Sequence, residues 1–518
     1  MTLVLLSFIL CAVAGWIIIP WFIKLAHRIG LVDQPDKTRK LHTDAIPLVG
    51  GISFFIVLLL MIPLLIFMGS YFGSVFNRID AFVGWPKLPL GHLRRYDAWE
   101  FSGLVLGSAV LLAVGVLDDW KGIRGRQKLA GQILAATVLI AFGYQFQAIT
   151  IAGYTLKFHS FSIFLVYLWV LAAVNSVNLL DGADGIASSI GVVMSLALGA
   201  MMIVIGNGLD AVVAFGIAGS LIAVLRYNFP PAKVYLGDAG SMLIGFLLAA
   251  IAIRSAFKQN SLYAFMAPVA LLAIPFIDTG AAIIRRRLTG RSIFAVDRGH
   301  LHHALLKKGY SPVKSLVWVI FFCVITAVGG VAALVYKQAE FALVAVGLVF
   351  AMMAGARLFG FAELRLVTRK TQNLIRSALH ASDQQENQVQ DVVYHVQGER
   401  DWEPWWKKLR EFAIEQGILK MTMDLNAPWL HESWHAKLKS RETVRESNYM
   451  WSTSIPLLFE KRIFGKVDFT CSKDVDHHEV IKGILEITAQ IEDSLKQPPP
   501  SDSPGASEQE EQHPVINH

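Results

Sequence analysis

Charged residues and cysteines are both scarce in this 518-residue chain. Asp, Glu, Lys and Arg make up only 17% of it, while 54% of the residues are hydrophobic and the mean hydropathy is +0.49. These values exclude an ordinary soluble enzyme and indicate a polytopic membrane protein. The three cysteines, Cys11, Cys323 and Cys471, lie far apart, two of them in apolar runs, so the sequence predicts neither a disulfide framework nor a zinc site.

The N-terminus also lacks the pattern of a cleavable signal peptide. No positive charge precedes the first apolar run, and Lys24 and Arg28 follow it. A secretory signal has the opposite order, so the pattern predicts a retained helix whose N-terminus lies outside the cytoplasm. The net charge of +7 could suggest a nucleic-acid partner, but the basic residues cluster beside apolar runs. We therefore interpret the charge as topological and expect no nucleic acid to bind.

The predicted fold is an all-α polytopic membrane protein with about eleven transmembrane helices, followed by a small α+β cytoplasmic domain. An odd number of spans places the C-terminus in the cytoplasm. The loops predicted to be cytoplasmic hold roughly nineteen Lys and Arg, against about eight in the alternate set, as the positive-inside rule requires. Only the short segment 206–210 separates the predicted spans 186–206 and 208–226. The predicted spans are 2–23, 49–69, 101–117, 130–147, 161–178, 186–206, 208–226, 240–256, 262–284, 315–336 and 340–360.

The composition changes after about residue 360. We predict a transmembrane domain over 1–362, then an amphipathic helix and linker over 363–391 that could lie along the anionic inner leaflet. Residues 392–496 alternate strand-like and helical patterns and predict the cytoplasmic domain. Its expected elements are strands near 392–396, 418–424, 450–459 and 462–470 and helices near 401–416 and 477–496. The tail 497–518, rich in Pro, Ser, Glu and Gln, is predicted to be disordered.

Acidic residues fall at three predicted cytoplasmic ends of spans. Asn178 and Asp181 are three apart and share one face if their helix continues through both. Asp118 and Asp119 end an apolar helix, where the dipole and their mutual repulsion disfavour two carboxylates. Asp238 lies between glycines ahead of another apolar helix, where a helix N-terminus can receive phosphate. The structural alternatives for these three sites are a polar turn, a solvated loop start and a helix cap.

Two cationic clusters fall on the same predicted side. The first offers donors to phosphate, although a positive-inside anchor would give the same pattern. The second holds three histidines within four residues, a spacing that is unlike familiar zinc sites and suits diphosphate oxygens better. Contact with lipid headgroups is the alternative for the basic part of that loop. The first cluster contains Arg39, Lys40 and His42. The second contains Arg298, His300, His302 and His303.

Together these clusters predict a membrane enzyme that brings a diphosphate and a lipid together on Mg²⁺. Carboxylate and amide oxygens are ligands that Mg²⁺ accepts, and the cation would neutralise the diphosphate while the basic loops hold its outer oxygens. The alternative from another functional class is a transporter of a phosphate-bearing solute. The acids lie at span ends, and no pair of broken helices marks a midplane site, which disfavours a transporter.

The motifs resemble, in order and topology, those of the polyprenyl-phosphate N-acetylhexosamine-1-phosphate transferases. The resemblance covers about residues 1–360. Within that family it is similar to the WecA type, which makes undecaprenyl-diphosphate-GlcNAc. The Arg-Lys-x-His loop is less similar to the MraY type, which handles the muramoyl-pentapeptide. The motifs are Asn175–Gly185, Asp118-Asp119, Gly237–Ser241, Arg39–His42 and Asp297–His303.

The resemblance implies a role for each matching residue. Asn178 and Asp238 would be Mg²⁺ ligands or lie next to the ion, with Asp181 in the same shell and Mn²⁺ as an alternative ion. Asp118 would be the catalytic carboxylate beside the lipid phosphate, with Asp119 supporting it and Asp181 acting in the same centre. Substrates would be bound by Arg39, Lys40, His42, Lys128, Asn228 at the uracil, Arg298, His300, His302 and His303.

The implied reaction transfers an N-acetylhexosamine-1-phosphate, by default GlcNAc-1-phosphate, from a UDP-sugar to undecaprenyl phosphate and releases UMP. It would be the first membrane step of a cell-surface polysaccharide such as O-antigen or enterobacterial common antigen. A MraY-type phospho-MurNAc-pentapeptide transferase is the alternative. The expected location is the bacterial inner membrane, with the active site in the cytoplasm. A monomer and a homodimer are both compatible with the sequence. The C-terminal domain is expected to regulate activity or contact later glycosyltransferases.

Overall fold

The computed structural model describes most of the chain, and it divides into two compact units, Met1–Val367 and Thr368–His518. The described residues are 1–33, 45–86, 95–151, 153–257, 260–288, 299–356, 358, 389–397, 401–427, 432–440, 450–459, 462–472 and 475–494. The predicted amphipathic helix over 363–380 and the tail 497–518 lie outside them.

The first unit is built from helices, because its sequence consists of long apolar runs separated by short polar turns. Gly30, with a φ of 74°, ends the first helix, and Ser311 begins a later one by accepting a hydrogen bond from the Lys314 N–H at 3.3 Å. The helices are α1 (Thr2–Ile29), α2 (Gly50–Val83), α3 (Arg95–Lys121), α4 (Gly125–Ala141), α5 (Phe161–Leu180), α6 (Ile186–Val204), α7 (Gly208–Asn228), α8 (Gly237–Phe257), α9 (Leu262–Leu271), α10 (Ala273–Leu288), α11 (Leu301–Lys307), α12 (Pro312–Tyr336) and α13 (Glu340–Gly355). Two short hairpins pair β1 (Val32–Asp33) with β2 (Ile46–Pro47) and β3 (Ala148–Ile151) with β4 (Tyr154–Lys157).

Eight helices in the described part of the chain are long and apolar enough to cross a membrane. The count is nine if α9 and α10, which are bent by 67° at Leu272, form one span. The prediction of a multi-pass helical membrane protein is therefore confirmed. Two further predicted spans fall on α4 and α13, which have 17 and 16 residues, so the count of eleven stays a prediction.

Three boundaries differ from the simplest interpretation of the sequence or refine it. Helix α2 continues to Val83 and α3 begins at Arg95, so much of the segment between the predicted spans 49–69 and 101–117 is helical. Helix α5 ends at Leu180, and Asp181 is its C-cap, so the helix stops one residue before the end that the Asn178–Asp181 spacing assumed. Helices α6 and α7 are separate, and the side chain of Asn207 caps α7.

Helix α8 lies at the centre of the bundle, where glycines let two neighbours approach its first turn. A Cβ on Gly51 would lie 2.3 Å from the Gly240 nitrogen, and one on Gly115 would lie 2.2 Å from the Ala239 Cα. Small residues at helix contacts permit this backbone approach in membrane bundles. The starts of α2 and α8 and the end of α3 consequently meet at one end of the bundle.

The second unit is a small α+β fold, as the alternating pattern predicts. Five antiparallel strands form a sheet in the order β5-β7-β6-β9-β8, and Trp406, Trp434 and Phe469 lie in its buried core. Strand β7 was not predicted, although Trp434, Ala436 and Leu438 alternate with polar residues along it. The elements are β5 (Val389–Gln397), α14 (Glu403–Glu415), β6 (Lys420–Ala427), β7 (Glu432–Ser440), β8 (Met450–Phe459), β9 (Arg462–Ser472) and α15 (His477–Ser494).

Candidate active site

Lys128, in the first turn of α4, joins two carboxylates that come from different helices. Its Nζ lies 2.5 Å from Asp118 Oδ2 at the end of α3 and 2.6 Å from Asp238 Oδ2 at the start of α8. Burial alone lowers the pKa of Lys128, but the charges of the two aspartates and the hydrogen bonds with them raise it overall. The ammonium therefore stays protonated and holds both carboxylates in place.

Asp238 also contacts the end of α5, so four helices meet at this residue. The Asn178 Nδ2 donates to Asp238 Oδ1 at 2.5 Å and to Ser241 Oγ at 2.9 Å. The sequence predicted that the ends of these apolar runs meet on one side of the membrane. The structure brings together Asp118, Lys128, Asn178 and Asp238 within hydrogen-bonding distance of one another or of a shared partner.

Asp119 caps helix α8. Its Oδ1 accepts from the Asp238 N–H at 2.8 Å and its Oδ2 from the Ala239 N–H at 3.2 Å. Gly237, which has a φ of 72°, leaves room for this carboxylate, since a Cβ there would lie 2.5 Å from Asp119 Oδ2. The cap satisfies N–H groups that a helix start leaves without partners. Asp119 thus fixes the backbone of Asp238, and its role in the site is to position that residue.

Asp181 lies in the turn between α5 and α6, close to these acids. Burial raises its pKa well above the usual value, and the negative charges of Asp238, Asp119 and Asp184 raise it further. Such an accumulation of carboxylates favours a divalent cation in their midst. Among the described residues, no three or more His, Cys, Asp or Glu side chains lie close enough together to hold a metal ion by themselves. Mg²⁺ does not require one, because it commonly takes one or two protein carboxylates together with water and substrate phosphates.

A second, deeper layer of polar side chains lies one helical turn from this site. The Asn175 Nδ2 donates to Gln132 Oε1 at 2.8 Å, and the Gln132 Nε2 donates to Asn175 Oδ1 at 3.3 Å. Gln132 follows Lys128 by one turn on α4, and Asn175 precedes Asn178 by about one turn on α5. This reciprocal amide pair therefore fixes the position of α4 against α5. Sequence reasoning missed it, although polar residues within apolar helices were a signal.

The three histidines lie on or beside helix α11, not in an extended loop. His300 is its N-cap, and His302 is 1% exposed, with neither ring nitrogen hydrogen-bonded to any described residue. Burial, with smaller contributions from the charges of His303 and His300, lowers the pKa of His302 to about 3. The ring is therefore neutral and can act only as a neutral donor or acceptor. It lies against the turn after α5, because a Cβ atom placed on Gly182 would be 3.0 Å from the His302 ring.

Asn228 is held inside the protein. Its Oδ1 accepts from the Gly185 N–H at 3.1 Å and from Ser188 Oγ at 2.9 Å, and its Nδ2 donates to the Val234 carbonyl at 2.9 Å. The residue is 2% exposed. These bonds tie the turn after α5 to the loop before α8 and fit a positioning role. Contact with uracil, which the family resemblance implies, stays a prediction.

Arg39, Lys40, His42 and Arg298 lie outside the described residues. The described strands β1 and β2, which precede and follow the first three residues in the chain, pair with each other. Val32 pairs with Pro47, the Tyr235 N–H donates to the Pro47 carbonyl at 2.9 Å, and the Gly50 N–H donates to the Tyr235 carbonyl at 3.0 Å. Both ends of this segment are thus attached beside the loop that leads to Asp238.

The family described as "Glycosyl transferase family 4" matches residues 101–256. A Mycobacterium tuberculosis (strain H37Rv) protein named "Decaprenyl-phosphate N-acetylglucosaminephosphotransferase" is 31% identical over 348 residues, which cover 62% of this chain and 80% of the relative. The chain belongs to the polyprenyl-phosphate N-acetylglucosamine-1-phosphate transferase family.

Other relatives of this transferase family agree with that assignment. A Bacillus subtilis protein named "Probable undecaprenyl-phosphate N-acetylglucosaminyl 1-phosphate transferase" is 27% identical over 65% of this chain and 86% of its own length. The Escherichia coli (strain K12) "Undecaprenyl-phosphate alpha-N-acetylglucosaminyl 1-phosphate transferase" is 27% identical over 60% of this chain and 78% of its own. The resemblance predicted from the motifs is therefore confirmed, and the chain is an enzyme of this transferase class.

The region matched by the transferase family model runs from α3 to α8. It includes Asp118, Lys128, Asn178, Asp181 and Asp238, the residues whose side chains form the centre described above. The histidines and the hairpin before α2 lie outside the matched range.

Proposed function

We propose that this protein transfers N-acetylglucosamine-1-phosphate from UDP-GlcNAc to undecaprenyl phosphate and releases UMP. The observation that supports it most directly is the junction of Asp118, Lys128 and Asp238 at the meeting point of four helices, next to Asp181. The names of the relatives support GlcNAc as the sugar and a polyprenyl phosphate as the acceptor. The proposed role is the first membrane step of a cell-surface polysaccharide.

Mg²⁺ fits the oxygen donors of this centre, with Mn²⁺ as an alternative. Asp238 and Asp181 would hold the ion through carboxylate oxygens, and Asn178 would offer its amide oxygen after a half-turn of the side-chain amide. When bound, the ion would neutralise the diphosphate and stabilise the charge that develops in phosphoryl transfer. Metal ligation and the donor nucleotide are parts of this proposal.

The chain's own residues position the acceptor. A phosphate monoester has its second pKa near about 6, so the lipid phosphate is largely dianionic at neutral pH and needs little deprotonation. Asp118 would orient it or take its residual proton, while the Lys128 ammonium keeps Asp118 next to Asp238. We favour direct attack on the β-phosphorus over an aspartyl-phosphate intermediate. Detection of a phosphorylated Asp118 by mass spectrometry would reverse that preference.

The transfer is tested by UMP release from UDP-GlcNAc in membranes that contain the full-length chain and added undecaprenyl phosphate. We expect lipid-dependent release that EDTA abolishes and that excess Mg²⁺ restores, because the acids around Asp181 need a cation before they can receive diphosphate. Membranes without the chain are the control. The transferase proposal fails if no UDP-sugar gives lipid-dependent release, and the metal proposal fails if release persists in EDTA.

The proposed topology places this centre in the cytoplasm of the bacterial inner membrane. The site residues lie at the ends of α3, α5 and α10 and at the starts of α4 and α8, all of which are cytoplasmic if the N-terminus is periplasmic. Counting α4 and α13 as spans gives the proposed eleven. The region 1–362 would form the transferase domain.

We also propose that the second unit regulates the transferase or recruits later glycosyltransferases. Its separate buried core, with Trp406 and Trp434, supports independent folding. Removing residues 381–518 should leave UMP release in membranes within about threefold and reduce glycan assembly in cells by a larger factor, if recruitment is the main role. Quantitative UMP assays and glycan staining measure the two effects. Unchanged activity together with unchanged glycan would contradict both roles.

A further inference from the structure

Asp278 is a buried acid on α10 that sequence reasoning did not select. It lies in the apolar segment before the basic residues Arg285 and Arg286 and is 1% exposed. A carboxylate within a candidate span is costly unless it has partners or a role. Its two oxygens have separate partners: Oδ2 lies 2.7 Å from His300 Nδ1, and Oδ1 accepts from the Leu301 N–H at 2.8 Å.

The first bond fixes the orientation and the tautomer of His300. With Asp278 Oδ2 as the acceptor, His300 donates from Nδ1, and Nε2 points away from Asp278. His300 is itself 4% exposed, so its ring has little freedom to turn. A carboxylate behind a functional histidine is a common way to hold its ring in one orientation.

The second bond holds the helix that carries the other histidines. His300 is the N-cap of α11 but makes no side-chain cap bond, so the Asp278 carboxylate satisfies the Leu301 N–H from outside. Helix α11 contains His302, whose Cε1 and Nε2 lie 3.0 Å from the Cβ position of Gly182. One carboxylate therefore sets the position of His300 directly and that of His302 through the helix.

We propose that Asp278 is a positioning residue that aligns the histidine cluster with the turn after α5, and hence with the diphosphate of the donor. The proposal rests on the proposed transferase function. The juxtaposition on which it depends is α10, α11 and the turn at Gly182. Asp278 itself has both oxygens engaged within the protein, so its effect on the reaction is transmitted through His300 and His302.

The substitution Asp278→Asn separates orientation from capping. Its amide oxygen can still accept from the Leu301 N–H, whereas its NH₂ group would face His300 Nδ1 and remove the Nδ1–H tautomer. We expect kcat/KM for UDP-GlcNAc to fall about 10- to 100-fold, as for other outer partners of functional histidines. The KM for undecaprenyl phosphate should change less than about threefold, because the acceptor phosphate is assigned to Asp118. Asp278→Ala should lose the cap as well and lower the Tm further.

The matched control is Asp210→Asn, another buried acid, whose Oδ2 lies 2.6 Å from Arg254 Nε at the opposite end of the bundle. It should lower the Tm without changing the KM for UDP-GlcNAc. In a His300→Ala background, Asp278→Asn should cost less than about threefold more, since both changes remove the same alignment. The measurements are UMP-release kinetics and thermal unfolding of the full-length protein in detergent.

Three outcomes would overturn the positioning role while leaving the transferase function intact. The first is an Asp278→Asn protein with more than half of the wild-type kcat/KM. The second is a loss of kcat/KM that multiplies in full with that of His300→Ala. The third is a loss of kcat/KM equal to that of Asp210→Asn when the two variants have the same Tm. A wild-type protein without lipid-dependent UMP release would instead refute the transferase proposal, and the positioning role with it.

Discussion

Replacing Asp238 by Asn should lower UMP release about 1,000-fold or more. The carboxylate holds the Lys128 ammonium at 2.6 Å and accepts from Asn178 at 2.5 Å, and it is a proposed Mg²⁺ ligand. An amide keeps the size of the side chain but removes the charge, and its NH₂ group would face either Lys128 or Asn178. Loss of one preorganised electrostatic contact in an active site typically costs about 100- to 1,000-fold, and here several are lost together.

A suitable control for Asp238→Asn is Glu340→Gln. Glu340 is the acid in the first turn of α13, as Asp238 is in the first turn of α8, so both changes remove a charge that favours a helix start. The control should keep activity within about twofold, since surface changes away from a site have small effects. UMP release and the protein level in membranes are measured for both variants. Full activity of Asp238→Asn would refute its assignment to the metal and to the reaction.

The ends of the helices could be predicted from the sequence because the motifs themselves end the apolar runs. Asp181 and Asp238 adjoin glycines near a helix end, and Asn178 lies about one turn before Asp181. The charge bias of the loops assigns these ends to one side. Asp118 and Asp119 were distinguishable as acids at the unfavourable end of a helix dipole. Periodicity and charge therefore placed the residues of the centre on one face, without giving their contacts.

The contacts depend on how each helix is rotated about its own axis, which composition does not encode. Lys128 and Asp238 are 110 residues apart, and their bond depends on how α4 packs against α8. The cap of Asp119 on α8 likewise depends on the close approach of α3 and α8 at Gly115. The hydrogen bonds of Asn228 could not be predicted either, since the sequence around it does not show that its partners are Gly185, Ser188 and Val234. Asp278 was detectable as an acid within an apolar run, but its pairing with His300, 22 residues further along the chain, depends on where α11 packs against α10.

The division of work between the two adjacent aspartates follows from this packing. Asp118 turns one oxygen towards Lys128 and accepts from the Ile123 N–H at 2.9 Å, whereas Asp119 spends both oxygens on the first turn of α8. The sequence presents them as a pair of like charges. Hydrogen bonding to the start of α8 gives Asp119 a positional role, and only Asp118 retains a direct ionic contact with the charged centre.

Gly115→Val should abolish most activity by moving α3 away from α8. A Cβ at Gly115 would lie 2.2 Å from the Ala239 Cα, which is backbone and cannot turn aside. The helices must separate by about 1 Å or more, and overpacking of this kind costs about 1–3 kcal/mol of stability. Asp118 and Asp119 follow one turn later on α3, so both the contact with Lys128 and the cap on α8 would be displaced. A displacement of about 1 Å can cost about 100-fold in rate.

The control for this substitution is Gly347→Val on α13, where a new Cβ meets nothing within 4 Å. It adds the same β-branched side chain to an apolar helix and should leave UMP release within about twofold. Activity per folded protein, with folding measured by thermal unfolding in detergent, separates displacement from simple loss of protein. If Gly115→Val keeps wild-type activity per folded molecule, the close approach of α3 to α8 is not what sets the geometry of the Asp118–Lys128–Asp238 junction.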